Sequence, residues 1–557
     1  MDEFFLLERD DFMTRKEYSE LLVPNVEHDW EYYEKKYPAR KLKEGAMVTR
    51  FAPSPTGFVH MGSLYASFVD LVMAKQIDGV AYLRIEDTDQ KREVENGIEG
   101  IIKDFKSLGI NFDEGPSFGG EYGPYVQSER GDIYRAYVRR LIEEDNAYPC
   151  FCTAEELDEQ RNIQELEKER IGYYGTWAKC RTLTMDEALA KINNGEKYVI
   201  RLKSPGNFNN KVILHDLIKG NVEMPENDMD IVILKSDNLP TYHFAHAIDD
   251  HLMYTTHVIR GDEWVSSWNV HEQLFKVLGF KMPEYAHIAP ITIKEGNTIR
   301  KLSKRKDPEA AVSYYHKKGI PTEVIRLYLA TINNSTFEAW YLQNPDKGID
   351  DFTFEFDKCP IGGSLFDVQK LISISKVYFS SLKAVDVYNG AIDYTKEYDQ
   401  EFNELLTKYK DYAINVLNIE REIPRPRRDI SAYEDIRTYT WYMFDELFFK
   451  EAEYKLEKAY DIELLNDYIN NYFDENDSKD DWFNKIKELA PKYGYASETK
   501  AYKAEPEKYK GSIGDVCEAI RVAVTSLTMT PDLYEILKNL GKERILKRIE
   551  FFEEKTK

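Results

Sequence analysis

Between Thr49 and Ser67 the chain reads TRFAPSPTGFVHMGSLYAS, and this stretch limits the fold more than any other. A strand-like start, MVTRFAP, runs into a turn stiffened by Pro53 and Pro55. Gly57 and Gly62 permit tight turns and close backbone approach, and LYASFVDLVMAKQ then has helical spacing. VAYLRIEDTD follows as a buried strand ending in acids. Strand, glycine turn, helix, strand is a βαβ unit, expected to be parallel and right-handed. A helix beginning near Ser63 offers free N–H groups to a phosphate, and His60 stands where it could donate to a phosphate oxygen as charge builds there. A glycine turn with one histidine is also a common structural device, so this motif alone decides nothing.

At 557 residues the chain needs several domains, and 42% hydrophobic content supplies their cores. Residues 1–45 read as an acidic helical extension without an assigned role. Residues 46–126 and 229–300 read as the halves of a split nucleotide-type α/β domain, the second half marked by MDIVILKSD, THVIRGDEW and the helix NVHEQLFKVLGF. Between them, 127–228 mixes the charged helix TAEELDEQRNIQELEKER with the short strands KYVIRLK and KVILHDLI, an α+β insertion. Residues 301–385 hold a basic loop and a contact region, and 386–557 are aromatic-rich and helical.

No apolar run reaches the roughly 18 residues of a membrane span, and MDEFFLLERDDF is too acidic for a signal peptide. A cytoplasmic, membrane-free protein is expected, with monomer as the default. Five cysteines, an odd number, argue against a disulfide framework. The net charge of −24 counts against a nucleic-acid partner unless positive charge is confined to one face.

A second basic motif, KLSKRK at 301–306, follows ITIKEGNTIR. Such a run is commonly a solvated face. Here it lies beyond the last βα segment of the split domain, where a loop could carry Lys304 onto phosphates held by the first motif. Charge stabilised only in the transition state is what accelerates nucleotidyl chemistry. Arg50 and Arg260 sit at C-terminal strand ends, where open α/β sheets bind ligands. In RIEDTD, Glu86, Asp87 and Asp89 could alternatively hold Mg²⁺. CFC at 150–152 with Cys180 supplies three-quarters of a tetrahedral zinc site, or three free cysteines. Arg425, Arg427 and Arg428, in EIPRPRRDI beside the aromatic run YTWYMFDELFF, are candidates for contact with unstacked RNA bases; the aromatic run itself reads better as a buried helix.

Together HMGS and KLSKR resemble the two signatures of class I aminoacyl-tRNA synthetases. RFAPSPTGFVHMGS, LRIEDTD, YGPYVQSER, PTYHFAHAIDDHL, HVIRGDEW and KLSKR occur in the order seen in bacterial-type glutamyl-tRNA synthetases, and the C-terminal LTMTPDLYEILKNLGKERILKRI resembles the end of that family's anticodon-binding region. The resemblance spans residues 47–557. It implies a Rossmann-type class I synthetase catalytic domain with an acceptor-binding α+β insertion, followed by a stem-contact region and all-α anticodon-binding domains. Glutaminyl-tRNA synthetases typically have PPEPNG and DDTN where this chain has APSPTG and EDTD, and end in β-barrels.

The family likeness implies ATP-dependent activation of L-glutamate and its transfer to tRNA(Glu), with Mg²⁺ on the ATP phosphates; charging of tRNA(Gln) stays open. It places His60, Lys301 and Lys304 in catalysis, and His60, Gly62, Ser63, Trp264 and Lys304 around ATP, with Glu263 on the adenosine side. It assigns Arg50, Ala52, Ser54, Tyr242 and Arg260 to glutamate and Glu86 to its α-ammonium. The physical demand agrees, since burying a side-chain carboxylate calls for forked cations. In some members the three cysteines are completed as a zinc site by a tyrosine, here Tyr173, although its spacing to Cys180 is long. Two rival readings are a small-molecule adenylyltransferase, which would not need several hundred helical residues, and a catalytically silent tRNA-binding paralogue, which would not need His60, Lys304 and both arginines intact.

Overall fold

The structure, a computed structural model, describes residues 13–55, 59–89, 94, 96–303, 306–454 and 460–557. The chain divides into two compact units: Met1–Val312 with Leu329–Tyr341 and Lys347–Asp367, and Ser313–Tyr328 with Leu342–Asp346 and Val368–Lys557.

In the first unit, α1 (Arg15–Leu22) and α2 (Trp30–Lys36) precede β1 (Val48–Phe51). α3 (Met61–Lys75) crosses to β2 (Val80–Leu83), which pairs parallel with β1 and sets Arg50 beside Tyr82. All four β1 residues are buried, as expected of a parallel strand covered on both faces. α4 (Gly97–Ser107) and α5 (Gly131–Glu143) follow. Residues 127–228 also carry β3 (Ala147–Cys150), α6 (Ala154–Glu167), α7 (Met185–Asn193), β4 (Val199–Leu202) and the antiparallel pair β5 (Lys211–Asp216) and β6 (Gly220–Pro225), while β7 (Val232–Leu234), from MDIVILKSD, pairs with β4 of the insertion. α8 (Tyr242–Leu252), β8 (His257–Gly261), α9 (Trp268–Leu278) and β9 (Glu284–Ile288) complete the second nucleotide-type half.

The sheet orders are β3-β4-β7 and β6-β5-β9-β8, the latter with β8 and β9 parallel. Thr256 N donates to Val48 O at 3.0 Å, so the two halves meet where β8 begins beside β1. ITIKEGNTIRK, read above only as the approach to the basic loop, is an antiparallel hairpin of β10 (Ile291–Glu295) and β11 (Thr298–Lys301). It turns at Gly296, whose φ of 61° suits a residue without Cβ.

The described part of the N-terminal extension is a strap across this unit. A capping box between Thr14 and Glu17 starts α1. Tyr18, Leu22, Val23, Tyr33 and Tyr37 join the core formed with α5 and α8. Arg40 is bidentate on Glu114 at 2.6 and 2.9 Å, donates to Met253 O and lies 3.9 Å over the Tyr122 ring. Glu34 accepts from Tyr137 and contacts His251 at 3.0 Å.

The second unit is helical, with one core that includes Phe402, Met443, Phe448, Ile486, Val516 and Ile549. Tyr442, Phe444 and Phe448 of the aromatic run are part of that core, as expected of a buried helix.

Candidate functional site

His60 is the N-cap of α3, and its Nδ1 accepts from Ser63 N at 3.2 Å. A ring that accepts at Nδ1 carries its proton, when neutral, on Nε2. A Cβ on Gly62 would stand 2.9 Å from His60 Cε1, so only glycine lets the imidazole lie across the helix start. The cavity there, 410 Å³, is lined by His60, Gly62, Ser63, Glu263 and Lys301 among others. An N-terminal helix end and an N–H donor together favour a phosphate. Lys301, at the end of β11, reaches Glu263 at 3.1 Å. Gly57 and Lys304 lie outside the described residues. Both sides of the basic loop are tied together: Arg300 donates to both Asp307 oxygens at 2.7 Å, and Ser303 N donates to Asp307 at 2.8 Å.

A second cavity of 370 Å³ adjoins the first, sharing Phe51, Ser54, Ala66 and Gly261 with it. Arg50, Ala52, Ser54, Glu86, Tyr242 and Arg260 all line it. Arg50 comes from β1 and Arg260 from β8, and Arg50 Nη1 approaches Ile259 O at 3.4 Å. Trp264, which the family likeness places around ATP, packs on Tyr242 with ring centroids 4.5 Å apart and lines this second cavity, not that of His60.

Behind the pocket stands a buried charge network that the sequence reading missed. Asp250 accepts from Arg84 at 2.6 Å and lies 3.4 Å from Arg50 Nε. Arg84 also donates to Glu86 at 3.0 Å. Asp249 accepts from Arg130 (2.7 Å), Tyr134 (2.7 Å) and Gln127 (2.9 Å). A cation inside VAYLRIE and two acids in the apolar helix FAHAIDDHL were the available signals, because buried charges require partners. Burial pushes the Glu86 carboxyl above its ordinary value, though Arg84 and Arg50 oppose the shift. Asp70, buried without a hydrogen-bond partner, is pushed well up by burial.

Arg260, 5% exposed, makes no ion pair among the described residues. Its Nε donates to His287 Nε2 at 3.0 Å and its Nη1 to His271 Nδ1 at 2.9 Å. His271 Nε2 lies 2.8 Å from His243 Nδ1, and His287 Nδ1 lies 2.6 Å from Asp216 Oδ2. Arginine only donates, so both contacted nitrogens hold lone pairs. Burial, with Arg260 nearby, holds His243 down to about 4. His246 and His271 are pushed well below their ordinary value, first by burial.

These depressed values make stability pH-dependent. Above the ordinary value of 6.5 the histidines are neutral folded or unfolded; below it the unfolded chain takes up protons that the folded one refuses. Stability should therefore be full above pH 6.5 and fall as pH drops toward 4. His243 alone accounts for about 2 kcal/mol at pH 5. Thermal melts between pH 7.5 and 5 should show the loss, and His243→Gln should flatten its slope.

In the insertion, the Sγ atoms of Cys150, Cys152 and Cys180 lie within 4.8 Å of one another. Cys152 and Cys180 are 3.7 Å apart, matching the roughly 3.8 Å edge of a tetrahedron with ligands at ~2.3 Å. Tyr173 Oη is 3.4 Å from Cys150 Sγ and 3.3 Å from Cys152 Sγ. The long spacing from Tyr173 to Cys180 is taken up by two 3₁₀ turns, Gly175–Trp177 and Lys179–Thr182. Hydrogen bonds from the Cys152 and Cys180 thiols push the Cys150 thiol far down. In the second unit Arg425 and Arg428 are exposed, whereas Arg427 is half-buried and paired with Asp429 at 2.8 Å.

Residues 46–339 match the family described as tRNA synthetases class I (E and Q), catalytic domain, and residues 495–552 match an anticodon binding domain. A glutamate–tRNA ligase of Clostridium perfringens (strain 13 / Type A) is 48% identical, covering 96% of this chain and all of the relative. One from Acetivibrio thermocellus is 44% identical, covering 97% of this chain and all of the relative. The crystal structure of a glutamate tRNA ligase from Elizabethkingia meningosepticum, in complex with its amino acid, superposes with a TM-score of 0.72 at 27% identity, covering 92% of this chain and all of that one.

Proposed function

The chain belongs to the glutamate–tRNA ligases of the class I tRNA synthetases, and from that premise we infer how its own residues divide the work. ATP occupies the cavity of His60, with Mg²⁺ carried on its phosphates. Glutamate occupies the adjoining cavity, its side-chain carboxylate between Arg50 and Arg260, the Tyr242 hydroxyl beside it and its ammonium toward Glu86. The shared wall of Ser54 and Gly261 brings the α-carboxylate to the α-phosphorus. Attack there forms glutamyl-adenylate and releases pyrophosphate. His60 Nε2–H, the start of α3 and Lys301 stabilise the developing charge, and the KLSKR motif assigns Lys304 to the same charge. A ribose hydroxyl of the terminal tRNA adenosine then attacks the mixed anhydride and releases AMP. Arg425 and Arg428 offer guanidinium planes to the anticodon arm.

The observation that carries this reading is the convergence of Arg50 and Arg260, from the two halves of a split nucleotide fold, on a cavity that shares a wall with the His60 cavity. Glutamate-dependent ATP–pyrophosphate exchange, run with and without tRNA, tests it. His60→Ala should cut the exchange rate by about 10²-fold with the glutamate KM little changed. Exchange that persists at the unaltered rate would remove His60 from the mechanism.

The insertion's sulfur cluster fits zinc. Cys150, Cys152 and Cys180 with Tyr173 would hold it, and the ion would clamp the end of β3 to the turns that follow α6. Protein purified without chelator should carry one zinc per chain. Stripping the ion should lower the melting temperature by several degrees, on the order of 2 kcal/mol, and Cys152→Ser should abolish binding. Metal-free protein of unchanged stability would refute the site.

A further inference from the structure

Arg50 and Arg84 share the Asp250 carboxylate and Arg84 also pairs with Glu86, so two carboxylates compensate their two charges inside the protein. Arg260 is held differently. Both of its protein side-chain acceptors are imidazole nitrogens, His271 Nδ1 and His287 Nε2. The nearest carboxylate in that chain of contacts, Asp216, stands a full imidazole further back. It takes a proton donor from His287 at 2.6 Å and the amides of Ile218 and Lys219 at 2.9 and 2.8 Å. That contact fixes His287 with its proton on Nδ1 and its lone pair toward Arg260. The Tyr285 ring, 4.8 Å from the guanidinium, closes another side without adding a charge.

A carboxylate at either position would orient Arg260 equally well and would also neutralise it. We propose that His271 and His287 are specificity-determining positioning residues: as neutral acceptors they fix Arg260 without compensating its charge, so that only an amino acid with an anionic side chain completes the pocket. The proposal rests on the assignment of Arg260 to the side chain of glutamate made above. An uncharged side-chain amide would leave that guanidinium buried without a counter-charge, which is the penalty that rejects glutamine.

The test is tRNA-supported ATP–pyrophosphate exchange by the full chain with glutamate and with glutamine. His271→Leu, which removes the acceptor, should raise the glutamate KM about 10-fold while the ATP KM stays within about twofold. His271→Asn, whose Oδ1 replaces Nδ1, should restore most of the loss. His271→Asp keeps the hydrogen bond and adds a charge; it should lower the glutamate-over-glutamine ratio of kcat/KM by about 10- to 100-fold relative to His271→Asn. Equal ratios for the Asn and Asp variants would overturn the proposal. If His271→Asp does not fold, equal glutamate KM values for the Leu and Asn variants would overturn it instead. Arg260→Gln separates the two levels. If it leaves the ratio unchanged, the assignment of Arg260 fails and the proposal with it; if it collapses the ratio while Asn and Asp agree, the histidine proposal alone fails.

Discussion

Arg260→Ala should lower kcat/KM for glutamate by on the order of 10³-fold, with a far smaller effect on the ATP KM. Removing one partner of a buried, hydrogen-bonded charge pair costs about 3–5 kcal/mol, and each 1.4 kcal/mol is tenfold. The loss should fall on the amino acid because Arg260 lines the cavity of Arg50, Glu86 and Tyr242 and not that of His60. Folding should suffer less, since the contacts Arg260 surrenders are to neutral imidazoles and a carbonyl. Steady-state exchange kinetics together with a melting curve separate the two effects. A variant that loses stability but keeps its glutamate kcat/KM would make Arg260 structural.

Asp250→Ala should have the opposite signature, a loss of about 3–5 kcal/mol in stability that precedes any kinetic effect. The side chain is fully buried and stands between two guanidiniums, Arg84 at 2.6 Å and Arg50 at 3.4 Å. Without it Arg84 retains Glu86, at 3.0 Å, and the two like charges repel in a dry environment. His246, 3.1 Å from the second Asp250 oxygen at an angle unsuited to a hydrogen bond, cannot replace the lost anion. Denaturant unfolding monitored by circular dichroism measures the change. Arg50 should also drift, so the glutamate KM should rise in whatever fraction remains folded.

The candidate residues that the structure gathers around one cavity share one property. Arg50, Glu86, Tyr242 and Arg260 sit within a few positions of a strand end or helix start, and local pattern locates those ends. His60 belongs to the same class, because it caps the helix it precedes. Residues that act across the fold were missed. Nothing local in NVHEQLFKVL says that His271 faces Arg260, nor in EYAHIA that His287 bridges it to Asp216; those contacts exist only because β8, β9 and α9 pack side by side. The hairpin of β10 and β11 was within reach, since ITIK and TIRK alternate about a glycine turn, but the basic run behind it drew the reading toward a loop. Trp264 is a position whose packing the motif does not reveal: the 3₁₀ turn Asp262–Ser267 lays its ring on Tyr242.

A crystal structure of the protein with a non-hydrolysable glutamyl-adenylate analogue addresses the central claim without intermediaries. The side-chain carboxylate should accept from the guanidiniums of both Arg50 and Arg260 at about 2.7–3.2 Å, with the adenosine in the cavity of His60 and Lys301. A carboxylate found outside that pair, directed to solvent or to Lys301, would contradict the account.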